Sequence, residues 1–239
     1  MKKFKVSIHP EAFRNPPTIA EMKGIDGLIA KKIVVVDNEQ FGKFMQMVGK
    51  KGYVFCPSTF KDRKKSRETF KQSQLFVLSF DNRNDEQLTF KKIRDRAKYY
   101  GLPILFAYEC RECWWTDTER EQFTIVFLNE TPIYVLREAE AMQKALMMIF
   151  PEADKDCSVL KLSRGGNKLL YSDESMPTIN AEWLMMNLFL FLKDRYGKNS
   201  GRKMAEYARA TGVKLDNRNL PKISVIEDVE NNNLNSVDN

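Results

Sequence analysis

Two aspartates close apolar stretches that lie far apart in this chain. Asp81 ends the run Leu75-Phe76-Val77-Leu78-Ser79-Phe80, and Asp154 follows Phe150-Pro151-Glu152-Ala153. Carboxylates at strand ends, once side by side in space, hold Mg2+ or Mn2+ with hard oxygen ligands and leave positions open for a triphosphate. An aspartate after a strand is more often a turn or cap residue, so spacing alone is weak evidence for a metal site. A second cluster is Ser163-Arg164-Gly165-Gly166-Asn167-Lys168. Its glycines would admit a phosphate close to the backbone with Arg164 and Lys168 beside it, and the same string also reads as a hairpin turn. A third is the run Lys61, Arg63, Lys64, Lys65 and Arg67, suited to tracking a nucleic-acid backbone by charge neutralisation or to coating a solvated loop. Trp114 and Trp115, near Tyr108 and Arg111, offer faces on which unpaired bases stack, with core or edge packing as the alternative.

Other residue types narrow the classes. Four cysteines in 239 residues are too few for a disulfide scaffold. Cys110 and Cys113 form one C-x-x-C, half of a zinc site, but the only histidine, His9, is remote from it. Met142, Met147, Met148, Met185 and Met186 stand at helical positions suited to core filling. A formal charge of +7, from 39 basic and 32 acidic residues, permits a polyanionic partner without requiring one. No run has the apolar length of a membrane span, and the lysines near the N-terminus lack the apolar middle of a signal peptide, so a cytoplasmic protein is expected. With 43% hydrophobic residues the chain can bury a substantial core.

The elements that must position these residues alternate in type. The segment 33–36 is a short apolar run, 38–48 a helix capped by Asp37 or Asn38, 52–55 a strand, and 61–71 a loop. The run ending at Asp81 has the continuous apolar character of a strand buried on both faces. A helix over 87–100 follows, closed by Gly101 and Pro103, then a strand over 104–108. The β-branched and aromatic segment 123–128 predicts another strand, 129–132 a turn, and 138–150 a helix stopped by Pro151. Helices over 181–196 and 201–211 come last, before an Asn-rich tail from residue 227 with almost nothing to bury. Such alternation predicts an α+β or α/β layered core.

The blocks GYVFCPSTFKDRKKSRETFKQSQLFVLSFDN, AYECRECWWTDTEREQFTIVFLNETPI and IFPEADKDCSVLKLSRGGNK, in that order and spacing, resemble the archaeo-eukaryotic primase superfamily. Primase-like replication proteins of bacterial plasmids, phages and integrative elements are the members they look like. The resemblance spans 52–171. It implies an RRM-like sheet joined to an α/β unit over 1–176 and a helical segment over 177–226, while the Asn-rich composition of 227–239 predicts a disordered tail.

It also implies a site. The family's first motif is Asp, an apolar residue, Asp, and the matching triplet here is Ser79-Phe80-Asp81, with a hydroxyl at the first ligand position. Its second places a histidine on a strand to hold the nucleotide's phosphates, and Thr124 stands there. Asp154 matches the third motif, with Asp156 as a substitute; Asp85, in the loop after Asp81, would replace the missing carboxylate if that loop folds back, and otherwise reads as a solvated turn residue. On this reading Asp81 and Asp154 are catalytic and hold Mg2+ or Mn2+, and Thr124, Ser163, Arg164 and Lys168 bind nucleotide. Lys61, Arg63, Lys64, Lys65 and Arg67 meet single-stranded DNA. The implied activity is primase or DNA polymerase nucleotidyl transfer in replication of a mobile element, using nucleoside triphosphates. The sequence contains no G-x-x-x-x-G-K-[ST], so a separate helicase or replication protein is expected as a partner. The alternative is a catalytically silent primase-fold module that binds nucleic acid or nucleotide and recruits replication partners.

Overall fold

A computed structural model describes residues 2–13, 17–82, 87–109, 122–215 and 221–222. Cys110, Arg111, Cys113, Trp114, Trp115, Asp85 and the tail from 227 lie outside them.

The first unit is built on β1 (Lys3–Ala12), which reads as an alternating strand with Phe4, Val6 and Ile8 inward. After α1 (Ile19–Leu28) come β2 (Ile33–Asp37), α2 (Asn38–Lys51) and β3 (Tyr53–Cys56), and the three strands form an antiparallel sheet in the order β2-β1-β3. Asp37 caps α2 by accepting the Gln40 N–H at 3.0 Å, and Gly52 ends it in the left-handed conformation, φ 76°. Strand β3 alternates between two cores. Val54 and Cys56 face Ile25 of α1 and Ile29 in the turn after it, while Phe55 faces Phe44 and Met45 of α2.

The second unit is a five-stranded antiparallel sheet in the order β4-β5-β7-β6-β8, from β4 (Ser58–Phe60), β5 (Phe70–Asp81), β6 (Phe106–Glu109), β7 (Gln122–Ile133) and β8 (Lys168–Ser172). Helix α3 (Phe90–Tyr99) precedes β6, and α4 (Leu136–Ile149), α5 (Ala181–Tyr196) and α6 (Ser200–Thr211) follow β7 and β8. A two-residue pairing of β9 (Lys214–Leu215) with β10 (Pro221–Lys222) comes last. The fold is α+β. Helices α3 to α6 bury Ile93, Met142, Leu146, Leu188 and Tyr207 in one core with Phe76, Phe127 and other residues of the large sheet. Helix α2 and the small sheet cover part of its opposite face.

Three local expectations shift. Strand β5 begins at Phe70, so Lys71 belongs to it and the basic loop is the turn of the β4–β5 hairpin, in which Asp62 and Arg63 take positive φ. Residues 129–132 lie within β7, where the ladder slips: Leu75 faces Leu128, yet Ser73 faces Ile133. Met186 stands 46% exposed on α5, whereas Met142 and Met185 are core residues as expected.

Candidate active site

Strands β5 and β7 place the site by parity. Phe76, Leu78 and Phe80 on one strand and Phe123, Ile125 and Phe127 on the other enter the helical core. The intervening residues face the other way: Leu75 and Val77, then Ser79 and Asp81, opposite Leu128, Val126, Thr124 and Gln122 in register. That face is apolar while the small unit covers it and polar where a cleft of about 1020 Å³ opens. Ser79 and Thr124 hydroxyls lie 3.2 Å apart, and the Gln122 amide donates to Asp81 Oδ2 at 2.9 Å.

Asp154 reaches this face through an unfilled sheet edge. Strand β4 pairs β5 only through residues 70–73, and among the described residues no other strand continues that pairing along 75–80. Buried backbone groups need partners, and side chains and a loop provide them. The Gln143 amide of α4 donates to Val77 O at 3.1 Å, the Asp154 N–H donates to Ser79 O at 2.8 Å, and the Ser79 N–H donates to Cys157 Sγ at 3.4 Å. The loop after α4 is thus stitched to the strand whose end carries Asp81, and both carboxylates line the cleft.

The electrostatics are mixed. Asp154 Oδ1 accepts the Asp156 N–H at 3.1 Å and Oδ2 accepts the Lys161 ammonium at 3.1 Å. Burial raises its carboxyl, but these two donors outweigh it and hold it below the usual carboxylate range against the upward push of Asp81's charge. Lys161 and Arg164 line the same cleft, as do Lys23 and Asp26 of α1 and Lys65 of the hairpin turn, the last paired with Asp26.

The residues singled out by sequence are distributed unevenly. Asp81, Asp154, Thr124, Ser163, Arg164 and Lys65 line one cleft. Ser163 is 6% exposed, exchanges backbone bonds with Phe55, and shares a hydroxyl contact of 2.7 Å with Tyr108, so it holds Arg164's segment between the two sheets. Lys168 stands on β8 outside the cleft lining, 3.1 Å from Glu109. Arg67 pairs with Glu140 of α4, while Lys61, Arg63 and Lys64 lie outside the cleft lining on the same turn.

The two glycines serve internal packing. A Cβ on Gly165 would meet the Gly52 carbonyl carbon at 2.4 Å, and one on Gly166 would meet Glu109 O at 2.5 Å. The Gly166 N–H is spent on Val48 O. Gln122, Lys161, Lys23, Glu152 and Cys157 are lining residues that the sequence reading passed over. Gln122 alone had a signal, its place two residues before Thr124 on an alternating strand.

Asp81 and Asp154 provide two hard oxygen donors, and among the described residues no group of three His, Cys, Asp or Glu side chains is placed to hold a metal. Lys161 on Asp154 marks a point where positive charge is stabilised. The donor set fits one hard divalent cation completed by phosphate oxygens and water, and falls short of a two-ion arrangement.

No protein-family model matches the chain, and no curated protein matches it. Among solved structures it is similar to the AEP domain of the primase-polymerase of cyanophage S-2L, at 9% identity and a TM-score of 0.41, covering 78% of this chain and 88% of that one. What the fold and site define is an α+β protein with a paired-carboxylate cleft bordered by cations. No helix among the described residues is long and apolar enough to cross a membrane.

Proposed function

We propose that this chain is a primase-polymerase-type domain that binds single-stranded DNA and a nucleoside triphosphate in the cleft and transfers nucleotides to a 3′-hydroxyl. The observation that carries the reading is the bond from Asp154 N–H to Ser79 O, which brings two sequence-distant acids to one cleft beside Lys161 and Arg164. A Mg2+ or Mn2+ ion held by Asp81 and Asp154 would neutralise charge on the triphosphate and polarise its phosphoryl oxygens. Gln122 fixes one oxygen of Asp81, and Asp154 is ionised at neutral pH because its donors favour the charged form. Lys161 and Arg164 bind phosphate, Thr124 faces the cleft from β7, and Lys23 and Lys65, also in its lining, meet the strand backbone. The resemblance of the three sequence blocks adds the setting: replication of a plasmid, phage or integrative element in the cytoplasm, with unwinding left to a separate helicase.

A second reading is favoured by one specific contact. Ser79 and Thr124 occupy the positions where the resemblance puts a carboxylate and a histidine, and their hydroxyls satisfy each other. A neutral pair binds a divalent cation poorly, so the domain would keep the cleft for binding and recruitment without synthesis. Primer synthesis and extension with Mn2+, on the wild type and on Asp81→Ala plus Asp154→Ala, separates the two. Incorporation by the wild type and none by the double variant supports transfer. A wild type that binds single-stranded DNA yet incorporates nothing supports the binding module, and equal incorporation by the double variant removes this site from the reaction.

A further inference from the structure

We infer that Arg96 of α3, through Glu152, is the positioning residue that sets where Asp154 stands. The guanidinium contacts three residues at the end of α4 and just beyond it. It donates to both Glu152 oxygens at 2.5 and 2.7 Å, to the Ile149 carbonyl at 3.3 Å, and its carbon lies 6.0 Å from the Phe150 ring centroid. The last carbonyls of a helix have no partner within it, so the bond to Ile149 satisfies one of them and fixes the helix end. The fork on Glu152 then fixes the direction of the chain two residues before Asp154. Both side chains are largely withdrawn from water, at 20% and 25% exposure, so the pair is less screened than a surface ion pair.

Short local bonds transmit that placement. Ala153 N–H donates to Phe150 O at 3.0 Å, Asp154 N–H to Ser79 O at 2.8 Å, and Cys157 N–H to Asp154 O at 3.0 Å. Arg96 comes from a different element, α3, which is packed in the helical core by Ile93 and Ala97. The acid in the cleft is therefore referenced to the rigid helical layer rather than to its own loop. The assignment of this loop to a cation-binding cleft rests on the proposed function, whereas the mechanical link does not.

Arg96→Met keeps an apolar stem beside Phe150 and removes all donors, Arg96→Lys keeps the charge without the fork, and Glu152→Gln keeps the shape without the charge. Amide hydrogen exchange at Asp154 and Cys157 is read against Val126 and Phe127 in the sheet, and Mn2+ affinity is measured by calorimetry on the same proteins. In Arg96→Met the Asp154 amide exchanges about tenfold faster while the β7 amides are unchanged, with Arg96→Lys and Glu152→Gln between it and wild type. Mn2+ affinity falls in the same order. An Asp154 amide as slow in Arg96→Met as in wild type overturns the inference, as does faster exchange spread equally over β7, which marks general loosening. If Mn2+ binds neither wild type nor variants, the cation reading of the cleft fails and the exchange comparison still decides Arg96.

Discussion

The two faces of strands β5 and β7 are made by the same backbone and have opposite fates. On the helical face Phe76, Leu78, Phe80, Phe123, Ile125 and Phe127 are all buried, with Phe80 and Phe123 stacked at 4.9 Å between centroids. On the other face Leu75, Val77, Val126 and Leu128 are covered by the small unit, and Ser79, Asp81, Thr124 and Gln122 line the cleft. The difference shows that the site lies where one layer of cover ends. A sheet buried on both faces for half its length and on one face for the rest can present polar groups without leaving them in a dry core.

Breaking the closed face has the largest expected effect. Phe127→Ala removes a fully buried ring and should cost about 3–5 kcal/mol of unfolding free energy, read by chemical denaturation. Next, Gly166→Ala forces a methyl group against Glu109 O where β6 meets the segment from Arg164, and should cost about 1–3 kcal/mol by strain, whatever its effect on ligands. Asp81→Asn and Asp154→Asn on the open face should abolish Mn2+ binding by calorimetry while changing stability by less than about 1 kcal/mol, since Asp154's ion pair with Lys161 is half exposed. Ser79→Asp sharpens the comparison in the other direction. It adds a carboxylate two residues from Asp81 on the cleft face of β5 and should tighten Mn2+ binding about tenfold or more while lowering stability in chelator.

The smallest effect is on pH dependence. Burial raises Glu152, but its bonds to Arg96 outweigh this and hold its carboxyl below the usual range, as the donors on Asp154 do for that residue. A carboxylate whose folded pKa is depressed contributes stability that is complete above its unfolded pKa and is lost as pH falls through the folded value. Stability should therefore decline below about pH 4.5, the ordinary range of these carboxyls, with a shallower slope in Glu152→Gln. Denaturation midpoints between pH 6 and 3 read this directly.

Much of the layered architecture was legible because its signals are local. Phe41, Phe44, Met45 and Val48 mark the buried face of α2, Gly52 its end, and α5 runs over 181–196 as its apolar pattern predicts. Strand β1 carries an equally plain alternation of Phe4, Val6 and Ile8, with lysines between them at positions 3 and 5. The glycines at 165 and 166 were less legible, for a different reason. Glycine marks close approach, but the sequence does not say to what, and here the neighbour is backbone of the protein itself.

By itself the sequence determined that Asp81 ends a strand buried on both sides and that Ser79 shares its face, because side-chain alternation is a property of one strand. It also supplied both acids of the cleft as candidates. Only the tertiary structure decided that Asp154 stands beside Asp81, that Gln122 holds one carboxylate and Lys161 the other, and that Arg96 anchors the segment between. Those partners come from β7, from the loop after α4 and from α3, joined at the edge of β5 that β4 does not extend along. Which groups fill such an edge depends on how separate layers pack, and no periodicity along the chain encodes it.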